Sequence, residues 1–185
     1  MESRAAEPWA AEIELTAERA AVAAGLPGNT IGRFDHVRMR PKFLERLHAL
    51  QAAGLVRDRK ALIAFLDRVA PVGPRADRLA VVHGDLYARH VLVDEHLRVS
   101  GVIDWGDVHL GDPALDLSIA FSAISPRARD AFFEAYGAVD PRTLELARYR
   151  AIYHCAMTAH YGLRIGDAEL IAAGLTGLIP YGVTA

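Results

Sequence analysis

The chain has 185 residues, 52% hydrophobic and 24% charged, with 21 Lys and Arg against 23 Asp and Glu for a formal net charge of −2. That size suits one domain with a real core, and a single cysteine, Cys155, excludes an internal disulfide framework and a cysteine-based zinc site. The near-neutral balance leaves no electrostatic footprint for nucleic acid, and no apolar run approaches the ~20 residues of a bilayer span. The start, Met1-Glu-Ser-Arg4, does not read as a secretory signal, so the expectation is a cytoplasmic protein with neither nucleic acid nor membrane as partner.

The first seventy residues read as helices. An Ala-, Glu- and Leu-rich stretch over 12–24 stops at Gly25, and Pro27-Gly28-Asn29 follows as a turn. Between these helices, Gly25 to Gly32 reads as an ordinary connection. Pro41 suits the first turn of a helix ending at Gly54, with Phe43, Leu47 and Leu50 at helical spacing. A third helix, over 59–70, puts Leu62, Leu66 and Val69 on one face. The period then changes. Leu79–Val82 reads as a buried strand, and Val91–Val93 with Val99–Ile103 as a hairpin about Asp94-Glu95-His96. Helical signals return after Gly111, with Asp112-Pro113, Ser125-Pro126 and Asp140-Pro141 as cap and first-turn pairs and a last amphipathic helix from Asp167. The predicted fold is α+β and mostly helical, in one domain: a helical part over 1–76, a small central β-hairpin insert over 77–109 and a second helical part over 110–185.

Chemistry concentrates in that insert. His83-Gly84-Asp85 follows one strand directly, and Ile103-Asp104-Trp105-Gly106-Asp107 ends another. Two neighbouring strands that each finish in a carboxylate can aim both at one point. No Lys or Arg lies between Arg98 and Arg127, yet Asp104, Asp107, Asp112 and Asp116 do. Crowded carboxylates raise each other's pKa unless cations or hydrogen bonds compensate, and a hard divalent ion such as Mg²⁺ is the economical compensation. Taken singly, His-Gly-Asp is a common turn, and Asp112 is a helix cap. The joint occurrence shifts the balance.

Three segments together, His83-Gly-Asp-Leu-Tyr-Ala-Arg-His90-Val-Leu-Val-Asp94, Gly101-Val-Ile-Asp-Trp-Gly-Asp107 and Gly111-Asp-Pro-Ala-Leu-Asp116-Leu, resemble the aminoglycoside phosphotransferase family of the protein-kinase-like superfamily. The match is dense over 79–120. The resemblance implies a phosphotransferase that moves the γ-phosphate of ATP or GTP to a hydroxyl of a small molecule, with an amino sugar as the acceptor class it names. It implies Asp85 as the catalytic-loop base, Asp104 as the principal Mg²⁺ ligand, His83 as a prop of the catalytic loop and Asp116 as a helix carboxylate that hydrogen-bonds that loop.

Two departures stand out. Where the family has Asn as a second metal ligand this chain has His90, which either ligates in a site that also takes Mn²⁺ or makes a hydrogen bond instead. Asp107 is a candidate extra carboxylate, with a solvated turn acid as its plainer role. The second departure is length. Lys42 and Lys60, the only lysines, fall in predicted helices, and no Gly-rich strand–loop–strand precedes the catalytic loop, so the chain resembles the C-terminal lobe alone, without the N-terminal nucleotide lobe. The expected consequence is an exposed apolar face for a dimer partner or a separate N-lobe. The alternative function is a catalytically silent lobe that binds a metal, a small molecule or a partner, and a metal-dependent hydrolase built on His83, Asp85, His90 and Asp104 is a third reading.

The remaining candidates have plain roles: core for Trp105, surface for His109, structure for His154 and His160. Asp130, Glu134, Glu145, Asp167 and Glu169 are either an acidic wall for a polycationic substrate or, more simply, solvated helix faces. The stretch Arg33, Arg38, Arg40, Lys42 and Arg46 is mildly basic and no nucleic-acid patch.

Overall fold

A computed structural model describes residues 25–28, 32–70 and 79–181. The helix expected over 12–24 lies outside them. In chain order the elements are α1 (His36–Ala52), α2 (Lys60–Val69), β1 (Ala80–Val82), a 3-10 turn (Ala88–His90), β2 (Val91–Val93), β3 (Val99–Val102), a 3-10 turn (Trp105–Asp107), β4 (His109–Gly111), α3 (Ala114–Leu117), α4 (Ile119–Ser122), α5 (Pro126–Tyr136), α6 (Pro141–Ile165), α7 (Ala168–Thr176) and a last 3-10 turn (Ile179–Tyr181). The architecture is α+β and mostly helical.

Helix α6 is the spine. Asp140 caps it by accepting from the backbone N–H groups of Arg142 and Thr143, and Gly166 ends it in the left-handed region at φ 72°. Leu146, Tyr149, Ile152, Tyr153, Ala156 and Ala159 are buried along it, and α1, α2, α3, α4 and α7 all pack against it. Helix α1 contributes Phe43, Leu47 and Leu50, and α2 contributes Leu62, Leu66 and Val69. Phe43 meets Tyr153 at 4.6 Å between ring centres, within the range favoured for aromatic pairs. Helix α7 approaches α6 closely because Gly174 has no side chain: a Cβ there would stand 2.6 Å from the Cys155 carbonyl. Each fully buried Leu or Phe in this cluster contributes roughly 1.5–3 kcal/mol.

Four expectations need correction. Pro41 does not open α1. Asp35 does, accepting from the Arg38 N–H, and Pro41 lies inside the helix. A side-chain cap six residues upstream outweighs the proline's first-turn preference. The bond that Pro41 cannot make falls on Val37, a residue 85% exposed. The helix expected after Asp112-Pro113 divides into α3 and α4 at Ser118, whose hydroxyl donates to the Leu115 carbonyl at 2.6 Å.

The β-structure is not one hairpin either. β2 and β3 form the expected antiparallel pair, while β1 pairs antiparallel with β4 in a second two-stranded sheet. The strands preceding Asp85 and Asp104 are therefore not neighbours, and the loops, not adjacent strand ends, bring the carboxylates together. Finally, the connection after Gly25 is more than a turn: Gly28 bridges Leu110 in parallel, and Pro27 accepts from the Leu110 N–H at 3.1 Å. Among the described residues no helix is long and apolar enough to cross a membrane.

Candidate active site

The loop leaving β1 is built from the inside. Asp116, at the start of the α3 segment, accepts from the backbone N–H of His83 at 2.7 Å and of Gly84 at 3.0 Å. Burial pushes the Asp116 carboxyl above its ordinary value, opposed by those two hydrogen bonds. Gly84 turns the loop at φ 82°, and a Cβ there would lie 2.5 Å from the Asp107 carbonyl and 2.8 Å from the His109 ring. Only glycine meets both demands.

His83 is buried and uses both ring nitrogens: Nδ1 accepts from the Asp85 N–H at 3.3 Å, and Nε2 donates to the Ile103 carbonyl at 2.9 Å. The tautomer follows from its partners. This one ring fastens the Asp85 loop to the end of the strand before Asp104.

Arg33 clamps the other side. Its Nη1 meets Asp85 Oδ1 at 3.0 Å, and its Nη2 donates to Asp107 Oδ2. The bridge of Gly28 to β4 and the turn in which Gly32 accepts from the Asp35 N–H deliver Arg33 there. Asp85 Oδ2 is left without a partner among the described residues. Asp85 lines a pocket of about 400 Å³ whose lining includes Tyr87, His154, Met157, Tyr161 and Leu170. A carboxylate with one oxygen tethered and the other unpartnered beside a cavity is placed to accept a proton.

Asp104 contrasts with it. Its backbone lies in the left-handed region at φ 65° and ψ 54°, a conformation that costs a non-glycine residue of order 1 kcal/mol and that Asp tolerates better than most. His90, buried, donates from Nδ1 to the Asp85 carbonyl at 2.9 Å and directs Nε2 at Asp104 Oδ2, 3.3 Å away. With Nδ1 carrying that proton, the Nε2 of a neutral ring has a lone pair aimed beside a carboxylate oxygen. This donor pair fits a divalent cation, with Mg²⁺ or Mn²⁺ completing its shell from water and phosphate oxygens. Among the described residues no group of three or more His, Cys, Asp or Glu converges as a metal cage.

The structure thus gathers Asp85, Asp104, His90, His83, Asp107 and Asp116 about one pair of loops. Asp107 is committed to Arg33, and its carbonyl accepts from His109 Nδ1 at 2.7 Å. Asp112 accepts from the Ala114 N–H, a cap role.

Several plain roles need revision. Trp105 is not core: it is 52% exposed, with its indole N–H donating to the Val102 carbonyl and its ring 4.7 Å from His83. His109 is not at the surface but buried. His154 lies in the pocket wall, where burial first, and then Arg150 and Arg33, push its pKa down to about 4. The rings of Trp105, His83, His90, Tyr87 and His154 run in one contiguous series from the metal loop to the pocket, neighbours standing 4.1–5.7 Å apart.

Arg33 is the functional residue that sequence reasoning missed. It stands 52 residues before Asp85 and 74 before Asp107, and no local pattern distinguishes it from the other arginines of its stretch.

The sequence profile of the phosphotransferase enzyme family (APH) matches residues 9–151. Viomycin phosphotransferase of Streptomyces vinaceus is 38% identical over 102 residues, 53% of this chain and 35% of that protein. Among solved structures, macrolide 2'-phosphotransferase type I is 30% identical over 85% of this chain and 52% of its own, at a TM-score of 0.47. The GDP complex of aminoglycoside 2'-phosphotransferase-IIIa is 21% identical over 92% of this chain and 57% of its own, also at 0.47. The chain spans between about a third and just over half of these relatives' lengths. With most of its length matched by one profile, the chain belongs to the phosphotransferase enzyme family, within the protein-kinase-like superfamily.

Proposed function

We propose that this chain carries the catalytic base and the metal-holding loop of a phosphotransferase that moves the γ-phosphate of ATP or GTP to a hydroxyl of a small molecule. The observation that carries the reading is the pairing of Asp85, one oxygen tethered by Arg33 and the other beside a pocket, with Asp104 and His90, whose free donors stand 3.3 Å apart. A bound Mg²⁺ would neutralise charge on the transferring phosphates. Everything else falls to the chain itself. The pocket admits the acceptor, Asp85 Oδ2 orients and takes the hydroxyl proton, and His83 holds the Asp85 loop at a fixed distance from the Asp104 loop. Positioning of this kind supplies much of the rate in phosphoryl transfer, where the protein does little covalent chemistry.

The acceptor class named by the resemblance, an amino sugar, calls for an acidic wall. Glu145 is instead paired with Arg68, Asp167 caps α7, and Asp130, Glu134 and Glu169 are exposed. The apolar surface of Leu92, Val93, Val99, Ile103 and Trp105, all exposed, is the face against which we place a nucleotide-covering lobe or a second copy.

The test is direct. The chain with γ-labelled ATP or GTP, Mg²⁺ and a panel of small alcohols should yield labelled product, and Asp85→Asn should abolish it. Transfer that survives Asp85→Asn, or a chain that neither transfers phosphate nor binds Mg-nucleotide, contradicts the reading. The latter result favours the catalytically silent lobe.

A further inference from the structure

Arg38, Lys42 and Arg46 are spaced four apart on α1 and so share one face. With Arg33, Arg150 and Met157 they line a groove of about 330 Å³. Among the described residues no carboxylate lines it. Arg38 is already engaged with the Gly32 carbonyl and Asp35, while Arg40 makes a bidentate pair with Asp67, both bonds at 3.0 Å, and Arg68 meets Glu145.

Arg150 is the informative member. It is 8% exposed, and the opposing charge of Asp85 only partly offsets the cost of its burial. Burial and the nearby Arg33 push it down to about 10, so it remains charged at neutral pH. A guanidinium with five donors in so enclosed a place is stabilised by an anion that completes its shell.

The groove adjoins the pocket at Asp85, with Arg33 and Met157 lining both. Among the described residues that line the pocket Asp85 is the only acid; Arg33, paired with Asp85 and Asp107, and Arg89 are cations, and His154 is neutral at pH 7. A ligand reaching through both spaces therefore meets cations at one end and a proton acceptor at the other.

We propose that Arg150, Arg33, Lys42 and Arg46 bind a carboxylate or phosphate group of the acceptor, so that the acceptor is a small hydroxylated anion and not a polycationic amino sugar. The word acceptor rests on the phosphotransferase reading; the anion site does not. Oppositely charged ends also fix direction. With its anion in the groove, the ligand presents a hydroxyl to Asp85 Oδ2, and a polycation is repelled by the same side chains.

The experiment is a calorimetric titration of the whole chain, without nucleotide, at low ionic strength. The probes are inorganic phosphate, glycerol 3-phosphate, gluconate and, as the opposite charge, spermidine. The expected result is binding of at least one anion at about a millimolar or tighter, weakening with added salt, and no binding of spermidine. Glycerol 3-phosphate against gluconate separates a phosphate-bearing from a carboxylate-bearing ligand. Arg150→Met should weaken binding by about tenfold or more.

Because a buried arginine can also matter for folding, the exposed pair Lys42→Gln with Arg46→Gln is the second arm and should weaken binding as well. Absence of binding by all three anions, unchanged affinity in the Lys42→Gln, Arg46→Gln chain, or binding of spermidine overturns the proposal. Anion binding without phosphate transfer counts against the phosphotransferase reading and leaves the anion site standing. Transfer to a cationic acceptor with no anion binding does the reverse.

Discussion

Asp85 and Asp104 each follow a strand, yet the molecule holds them in opposite ways. The Asp85 side chain is 28% exposed, and its loop is secured by Asp116, His83, His90, Gly84 and Arg33. The Asp104 side chain is 67% exposed, touches only His90 among the described residues, and sits on a left-handed backbone. One carboxylate is fixed before any substrate arrives. The other is presented. A base must be aimed at a particular hydroxyl, whereas a metal ligand shares its ion with phosphates that come and go. The same residue type therefore carries two different structural commitments.

The largest expected effect breaks the fixed side chemically. Asp85→Asn keeps the shape but removes the proton acceptor, and labelled-phosphate transfer should fall by about 10²–10⁴-fold. Unchanged transfer would assign the base elsewhere.

Breaking the same side mechanically comes next. Gly84→Ala forces a Cβ against the Asp107 carbonyl and the His109 ring at a positive φ. Asp116→Ala leaves two backbone N–H groups without their acceptor. Each should cost about 2–4 kcal/mol in denaturant unfolding. A cost below about 0.5 kcal/mol for both would show that the loop is not held as described.

The pocket end of the ring series can be read through pH. The His154 pKa is about 4 in the folded chain, against an ordinary value of 6.5. A depressed pKa contributes stability that is present above pH 6.5 and is lost as pH falls toward 4, by no more than about 3 kcal/mol. His36 and His160 shift in the same direction, so the informative quantity is the difference between the chain and His154→Gln. That difference should be concentrated between pH 6.5 and 4, and a flat difference across this window contradicts the burial of His154.

The smallest effect probes the presented side. Asp104→Gly relieves the left-handed backbone, so stability should hold or rise by up to about 1 kcal/mol while metal binding is lost. A loss of stability would mean that Asp104 is secured by contacts like those of Asp85.

Much of this contrast was legible in the sequence and part was not, for physical reasons. Helices α2, α5, α6 and α7 announce themselves through caps and apolar spacing, and Asp85, Asp104 and Asp116 through their place beside strands and helix starts. These are local signals. β4 is three residues long and exists because β1 pairs with it, and Arg33 acquires its role across 52 residues of chain. Helix α1 begins at Asp35 because a side-chain cap outweighs a proline whose position suggested another start. Pairings made at long range leave no periodicity to read. The exposure of Trp105 was misjudged for a related reason: a large aromatic usually fills a core, but here its ring covers His83 at the edge of the site.

The claim that most of the account depends on is that Asp104 and His90 share a cation while Asp85 stays out of it. Titrating the chain with Mn²⁺ and following paramagnetic broadening of its histidine ring resonances tests that most directly. The account expects early broadening at His90, lost in Asp104→Asn and retained in Asp85→Asn. Broadening that spares His90, or that survives Asp104→Asn, would contradict it.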